Sequence, residues 1–347
     1  MKLKKILSLT LAVVLCALTA VSFASCGTTA YNLPIVCGET GMNDLAGVAT
    51  YGVDYYNLGV KAGDMAADIL LNGANPATMA VQGDPNPSLS VNTAVAEQIG
   101  FTIPESVSSK VSGGETQKVT RVSAAIVASG ADYTVGILQL VQHVALDQSN
   151  EGFQDQLSVR MNAAGKTVTI LDKNANGDES NNVTIAENFV SQNVDLIYTI
   201  ATSASQAAAT ATKESKTPVI FNAVTDPVDA GLVASLEAPG ANVTGVSDMN
   251  PVAQQIDLIG ELLGKDTVKI GFLYTSAETN SVMQINLAKK QCDAKGYTYA
   301  EKGIVDMNDI QSAMAALAKE GVDAIYIPTD NVLANACALV HSTNIGE

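Results

Sequence analysis

Tryptophan is absent from this chain of 347 residues, aromatic residues make up 5% of it, and only two histidines, His143 and His341, occur. The motifs of common catalytic centres are missing as well: there is no G-x-S-x-G elbow, Walker loop, G-x-G-x-x-G or H-E-x-x-H. No pair of titratable groups stands out as a general acid and base, so the chain is not expected to be an enzyme. Basic residues are scarce. Against 35 Asp and Glu there are 19 Lys and Arg, a net charge of −16. That balance argues against nucleic acid and against an anionic membrane surface as partners; otherwise it describes a solubilising acidic exterior. The five cysteines match no metal or redox spacing. Asp172-Lys-Asn174-Ala-Asn176-Gly177 opens like a calcium loop, but Val183 stands at the twelfth position, where a bidentate Glu is needed. No metal and no cofactor is expected.

What is present begins with a targeting segment. Lys2, Lys4 and Lys5 precede an uncharged run from Ile6 to Ala24, the layout of a secretory signal over residues 1–25. Phe23-Ala24-Ser25-Cys26 then resembles a lipobox, with Phe23 where Leu is usual, and Cys26 becomes the lipidated first residue of the mature chain. A plain secretory signal is the alternative. Acyl chains on Cys26 would hold the protein at the outer face of a membrane, an extracytoplasmic location, and no later stretch is long and apolar enough to span a bilayer. Cys16 leaves with the signal. Cys37, Cys292 and Cys337 remain and read as buried free thiols, with one disulfide among them left open. Hydrophobic content of 47% with 16% charged residues suits well-packed globular structure, and the length allows two domains.

The rest of the chain is organised around Asn222 to Asp248. An apolar strand, Pro218 to Val224, runs into the polar turn Thr225-Asp226-Pro227. A helix is expected from Pro227 until Pro239-Gly240 stop it, and a strand from Val243 to Ser247 then ends at Asp248. Open α/β sheets bind ligands at such strand-to-helix turns, outside the carboxyl ends of their strands, where helix N-termini present free N–H groups. Two series of alternating elements surround this stretch. The first has strands at Tyr133–Val141, Val168–Leu171, Asp195–Ile200, Pro218–Val224 and Val243–Ser247, with helices Leu146–Asn162, Val183–Gln192 and Ser203–Glu214 between them. The second runs through helix Val252–Leu263, strand Lys269–Thr275, helix Asn280–Lys295, strand Thr298–Val305, helix Asp309–Lys319, strand Asp323–Ile327 and helix Val332–Ser342. Such alternation predicts two α/β lobes with parallel sheets. Ahead of both lie short strands Leu33–Gly38 and Val48–Val53, the amphipathic helix Tyr55–Leu71, one strand within Val81–Val91 and a short helix Thr93–Ile99. Glu105–Asp132 is rich in Ser, Gly, Thr and Lys and reads as a linker with room for one weak helix. Its apolar run Val122–Ala128 either packs on a lobe or is a remnant of an ancestral leader.

Several stretches carry a family resemblance: GVDYYNLG (Gly52–Gly59), GILQLVQHVALD (Gly136–Asp147), IATSASQAA (Ile200–Ala208), YTSAETNS (Tyr274–Ser281) and IPTDN (Ile327–Asn331), together with Asn222–Asp248. They resemble the ABC-importer substrate-binding lipoproteins whose better-known members bind tryptophan or tyrosine, over most of the chain after Tyr31. The resemblance implies the type I periplasmic-binding-protein fold: two Rossmann-like lobes with parallel sheets and a hinge, closing on a cleft. The order of segments departs from the family. Past Ile345 the family would continue into a strand like LPIVCGETGM, one like VATYGVD and a helix like YYNLGVKAGDMAADIL, and these stand instead within residues 31–103. A circular permutation accounts for this, with Tyr31 following Glu347 in space; a recombined or truncated tandem gene is the alternative. The domains are then a signal (1–25), lipid attachment and the start of a permuted lobe 2 segment (26–53), a helix returning to lobe 1 with hinge elements (54–103), a linker joining ancestral termini (104–131), lobe 1 (132–240), and a hinge strand with lobe 2 (241–347).

The candidate ligand-binding residues lie at strand carboxyl ends. Thr202 and Ser203 open a helix with hydroxyls and free N–H groups, which suits a carboxylate. Thr225 and Asp226 form a second turn. On the other lobe Ser276 and Asn280, and Thr329, Asp330 and Asn331, occupy the same topological place. Each turn alone is as readily an ordinary helix cap; their convergence on one cleft favours a site. Asp226, Asp248, Asp330 and Glu39 are candidate acceptors for a ligand ammonium, with Asp226 or Asp330 preferred, since an unpaired buried ammonium is costly. Gln139, Asp54 and Tyr55 complete the set, and Tyr55, Tyr274 or Phe221 are expected as apolar walls. His143 falls near the cleft rim, where a structural role is favoured over ligand contact, and His341 reads as a surface residue. The residues alone support a small polar or zwitterionic solute. The resemblance implies an aromatic amino acid, captured by a lipid-anchored receptor for ABC permease subunits. A ligand-binding sensory protein, or a non-functional recombined copy of such a receptor, are the alternatives.

Overall fold

The computed structural model describes residues 29–111 and 116–347; the signal segment 1–25 and Cys26 lie outside the described residues. The first lobe is a five-stranded, wholly parallel sheet of β4 (Tyr133–Gln139), β5 (Val168–Asn174), β6 (Leu196–Ile200), β7 (Val219–Val224) and β8 (Val243–Ser247), in the order β5-β4-β6-β7-β8. Every residue of β6 and β7 is buried, which is why these strands read as near-continuous apolar runs, interrupted only by Thr199 and Asn222, rather than alternating ones. Helices α5 (Val144–Ala163), α6 (Glu179–Ser191) and α7 (Thr202–Ala211) follow β4, β5 and β6.

The second lobe is a six-stranded sheet in the order β10-β9-β11-β1-β2-β3. Its strands are β1 (Ile35–Cys37), β2 (Ala49–Gly52), β3 (Ser88–Val91), β9 (Lys269–Thr275), β10 (Thr298–Ile304) and β11 (Ala324–Ile327). All neighbours are parallel except β3, which runs antiparallel to β2. Its helices are α1 (Thr40–Leu45), α3 (Thr93–Gln98), α4 (Glu105–Ser108), α8 (Val252–Leu263), α9 (Thr279–Lys295), α10 (Ile310–Lys319), α11 (Asn331–Asn335) and α12 (Cys337–Ile345). The remaining long helix, α2 (Tyr55–Asn72), crosses back and packs on α5 of the first lobe.

Residues 31–103 are thus built into both lobes. Strand β1 sits inside the second sheet, registered Ile35 to Ile325, Val36 to Tyr326 and Cys37 to Ile327. The Tyr31 and Asn32 N–H groups donate to the Asn344 carbonyl at 2.8 and 3.0 Å, and the Asn344 side chain pairs with the Leu33 backbone in both directions, at 3.1 and 2.8 Å. The chain therefore enters the sheet where α12 ends. The apolar part of the 104–131 segment packs on the first lobe: Ala125 lies in that lobe's core, and the Val127 N–H donates to Val168 at 3.0 Å. Nearby, Arg121 Nε bonds to Asp155 at 2.5 Å and the Val119 N–H to the Tyr56 hydroxyl at 2.8 Å.

Two local readings are corrected. No helix follows Pro227. Ala230 and Leu232 close one turn onto Asp226 and Pro227, but Gly231 then adopts φ 71°, which a helix cannot continue through. The helix expected over Val332–Ser342 is two, broken at Ala336 (φ −97°, ψ 18°). The short helices α1 and α4, of six and four residues, carry too few positions for a helical period to register.

Candidate functional site

Sheet order places the site. In the first sheet the chain steps from β4 outward to β5 and then back across to β6, so the loops after β4 and β6 part at a switch point. In the second sheet β9 and β11 are related in the same way. Residues from all four loops, His143, Thr202, Glu278 and Thr329 among them, line two adjoining spaces between the lobes. One is a deep cavity of about 10 Å³, room for about one water. The other is an outer cleft of about 550 Å³, within the range of small-molecule sites. Asn280 and Asn331 line both.

Two carboxylates dominate the deep cavity. Asp248, just past β8, is 1% exposed. Its Oδ2 accepts a hydrogen bond from the Tyr55 hydroxyl at 2.7 Å, and its Oδ1 is buried with no hydrogen-bond partner. Burial pushes this carboxyl up; Tyr55 and the nearby Thr225 side chain pull it down, though Thr225 makes no well-formed bond to Oδ1. Glu39 caps α1, accepting from the Gly41 N–H at 2.5 Å and the Met42 N–H at 2.7 Å. Burial drives its carboxyl up to about 7 in spite of those two donors, and Asp44 and Asp248 add repulsion. A folded-state pKa above the unfolded value makes stability fall as pH rises from about 4.5 through about 7. Glu39→Gln is therefore expected to gain thermal stability relative to the parent between pH 5 and pH 8, by a difference of roughly 3 kcal/mol at most. Melting curves at the two pH values check this, and an unchanged difference would contradict the buried-acid assignment.

Asp330 has a different role. Its Oδ2 accepts from the Thr275 N–H at 2.6 Å and the Ser281 hydroxyl at 2.9 Å, and its Oδ1 from the Thr275 hydroxyl at 2.9 Å and the Leu333 N–H at 3.0 Å. Four donors leave it little capacity for a ligand, and it serves as the cap of α11. Glu278, which the sequence reading passed over, is half-buried and accepts from Asn280 Nδ2, Asn331 Nδ2 and the Asn331 and Val332 N–H groups at 2.9 to 3.1 Å. It fixes both asparagines that separate the two spaces. Burial and the neighbouring Asp330 push its carboxyl up.

From the first lobe, His143 precedes α5 and reaches across to Asn331, with Nε2 to Oδ1 at 3.4 Å, while its Nδ1 is buried without a partner. Burial lowers its pKa to about 4, so the ring is neutral at physiological pH. A second long contact joins the lobes, from Gln284 Nε2 to the Thr225 hydroxyl at 3.5 Å. In the outer cleft Thr202 and Ser203 open α7 with no side-chain cap, because Ala201 precedes them at φ 90°, ψ 159°. That conformation is almost confined to glycine, and strain of this kind gathers at functional sites.

The remaining expected residues lie elsewhere. Asp226 caps the turn after β7, accepting from the Val228 and Asp229 N–H groups at 3.0 Å each, and faces a small separate recess beside Thr202. Gln139 donates to the Val141 carbonyl and to Asp147, shaping the loop after β4. Asp54 caps α2, and the exposed Ser276 bonds to the Ile304 carbonyl. None of these three lines either space. Of the expected aromatic walls only Tyr55 lines the deep cavity; Phe221 is fully buried in the first lobe's core and Tyr274 packs beside Gly303. Cys37, Cys292 and Cys337 are buried free thiols. Among the described residues no group of three or more His, Cys, Asp or Glu could hold a metal ion.

Comparison with known proteins agrees with this architecture. The family described as ABC transporter substrate binding protein matches residues 17–113 and 134–346, and the chain belongs to that family. It is 39% identical over 206 residues to a tyrosine-binding protein of Clostridioides difficile, a match that spans 59% of this chain and 59% of that protein. An ABC domain from Streptococcus pneumonia solved in complex with L-Trp is 40% identical, with a TM-score of 0.55 over 60% of this chain and 70% of that one. A conserved domain protein from Vibrio cholerae is 37% identical, with a TM-score of 0.56 over 61% and 71%.

Proposed function

We propose that the protein is the solute receptor of an ABC importer and captures an aromatic amino acid between its lobes. One observation carries the reading most directly: the loops at the switch points of both sheets converge on one cleft, whose depth holds a buried carboxylate with an unpartnered oxygen. The relatives named for tyrosine and solved with L-Trp support an aromatic amino acid. The uncapped start of α7 at Thr202 and Ser203 offers N–H groups to its carboxylate, and the aliphatic side chains of Leu140, Val141, Val305 and Val332 in the outer cleft suit its ring. Delivery follows lobe opening toward permease subunits, from a position held at the outer membrane face by lipid on Cys26. The segment order is read as a circular permutation, supported by the bonds between Asn344 and residues 31–33.

Calorimetric titration of the mature chain with tryptophan, tyrosine, phenylalanine, leucine and a hexose tests the reading. Saturable binding of an aromatic amino acid is expected. Binding of leucine or the hexose alone would overturn the ligand class, and binding of none would overturn the receptor.

A further inference from the structure

The polar groups of the deep cavity are unevenly matched. Glu39, Asp248 and Asp330 line it, and among the described residues no lysine or arginine lines either it or the outer cleft. Asp248 is 1% exposed, and its Oδ1 has no partner. A buried carboxylate left in this condition is costly, and a cation is what relieves it. Most side-chain donors around the cavity are already committed, the Thr225 hydroxyl being the exception. The Tyr55 hydroxyl serves Asp248, the Thr329 hydroxyl bonds to the Gly38 carbonyl at 3.3 Å, and the Asn280 and Asn331 amides both serve Glu278. A ligand carboxylate placed here would meet like charge with almost no side-chain donor to spare.

Resting on the receptor reading above, we propose that the deep cavity is a primary-ammonium site held by Asp248 with Glu39 beside it, and that a ligand needs this ammonium but not a carboxylate. The class of ligand is then a primary amine with an apolar body, which includes decarboxylated aromatic amino acids as well as the amino acids themselves. The ammonium bonds to Asp248 Oδ1, the oxygen that Tyr55 leaves free. The carboxylate of an amino acid reaches only the neutral N–H groups at the start of α7, which line the outer cleft and not the deep cavity. Asp226 and Asp330 take no part, since both carboxylates cap backbone turns.

Titration of the intact mature chain with tryptophan, tryptamine and indole-3-propionate tests this without any variant. Tryptamine is expected to bind within about tenfold of tryptophan, and indole-3-propionate about 100-fold more weakly or worse, the scale of an unrelieved buried charge. Asp248→Asn, checked for its melting transition, is expected to weaken both amines by about 100-fold, and Asp226→Asn to leave them unchanged. Tryptophan binding without tryptamine binding, or indole-3-propionate matching tryptophan, would overturn the proposal and leave the receptor reading standing. Failure of all three ligands would overturn the proposal and exclude tryptophan as a ligand, and the titration with tyrosine, phenylalanine, leucine and a hexose described above then decides the receptor reading.

Discussion

Gly152→Ala is expected to destabilise the protein by about 3 kcal/mol, and so to lower its melting temperature by roughly 5 °C. The sign is what makes the experiment informative. In an exposed helix the same change stabilises by about 1 kcal/mol, because alanine is the better helix former. Here a Cβ on Gly152 would lie 2.1 Å from the Tyr56 carbonyl oxygen and 3.1 Å from the Val60 nitrogen. The partner helix shows the same fit in reverse: a Cβ on Gly59 would lie 2.2 Å from the Ser149 carbonyl oxygen. Backbone meets backbone, so no flexible side chain can move aside, and α2 must be pushed off α5. Tyr55 begins α2 and holds Asp248, so the displacement would reach the cleft. An unchanged or raised melting temperature would mean that residues 55–72 do not pack on the first lobe in this way.

Asp330→Ala is expected to cost about 4 kcal/mol, measured by urea denaturation. The Thr275 and Leu333 N–H groups and the Ser281 and Thr275 hydroxyls would all lose their acceptor at once. A buried donor left without a partner costs about 1–3 kcal/mol, and the two hydroxyls can partly recover by rotating. A loss below about 1 kcal/mol would show that the carboxylate is not the structural cap its four bonds describe.

These two residues also mark where the sequence stops being legible. Strands and long helices could be read because their signals are local: mostly apolar runs in β6 and β7, and a helical period in α2 and α8. The expected bounds of β8, α8 and β9 coincide with those observed. The roles of the acids depend on distant partners. Asp226, Asp248 and Asp330 all stand just after a strand, and in sequence they look alike. Asp330 caps α11 through the nearby Leu333 N–H, but what fills its other lone pairs is Thr275, 55 residues earlier, while Asp248 is held by Tyr55, 193 residues away. Glu278 was invisible for the same reason, since it serves Asn331 from 53 residues back. Phe221 was expected as an apolar wall of the cleft. The whole of β7 is buried, however, and its ring packs against Gly245 inside the lobe. Gly231 offered a local signal that would have stopped the helix after Pro227.

The order of segments along the chain has a physical consequence. The second sheet is completed by strands that are synthesised first, and β1 pairs with β11 about as far away as the chain allows. Pairings of such separation are slow to form, and the six-stranded sheet cannot close until the last strand exists.

The receptor account meets its most direct test in the fluorescence of tryptophan itself. The protein has no tryptophan, so indole emission reports the ligand alone. Addition of the mature protein to free tryptophan should shift that emission to the blue in a saturable way, as the ring leaves water for the aliphatic cleft, and tyrosine should reverse the shift by displacement. Emission that stays at the position of free tryptophan, with the folded protein in excess at millimolar concentration, would contradict the account.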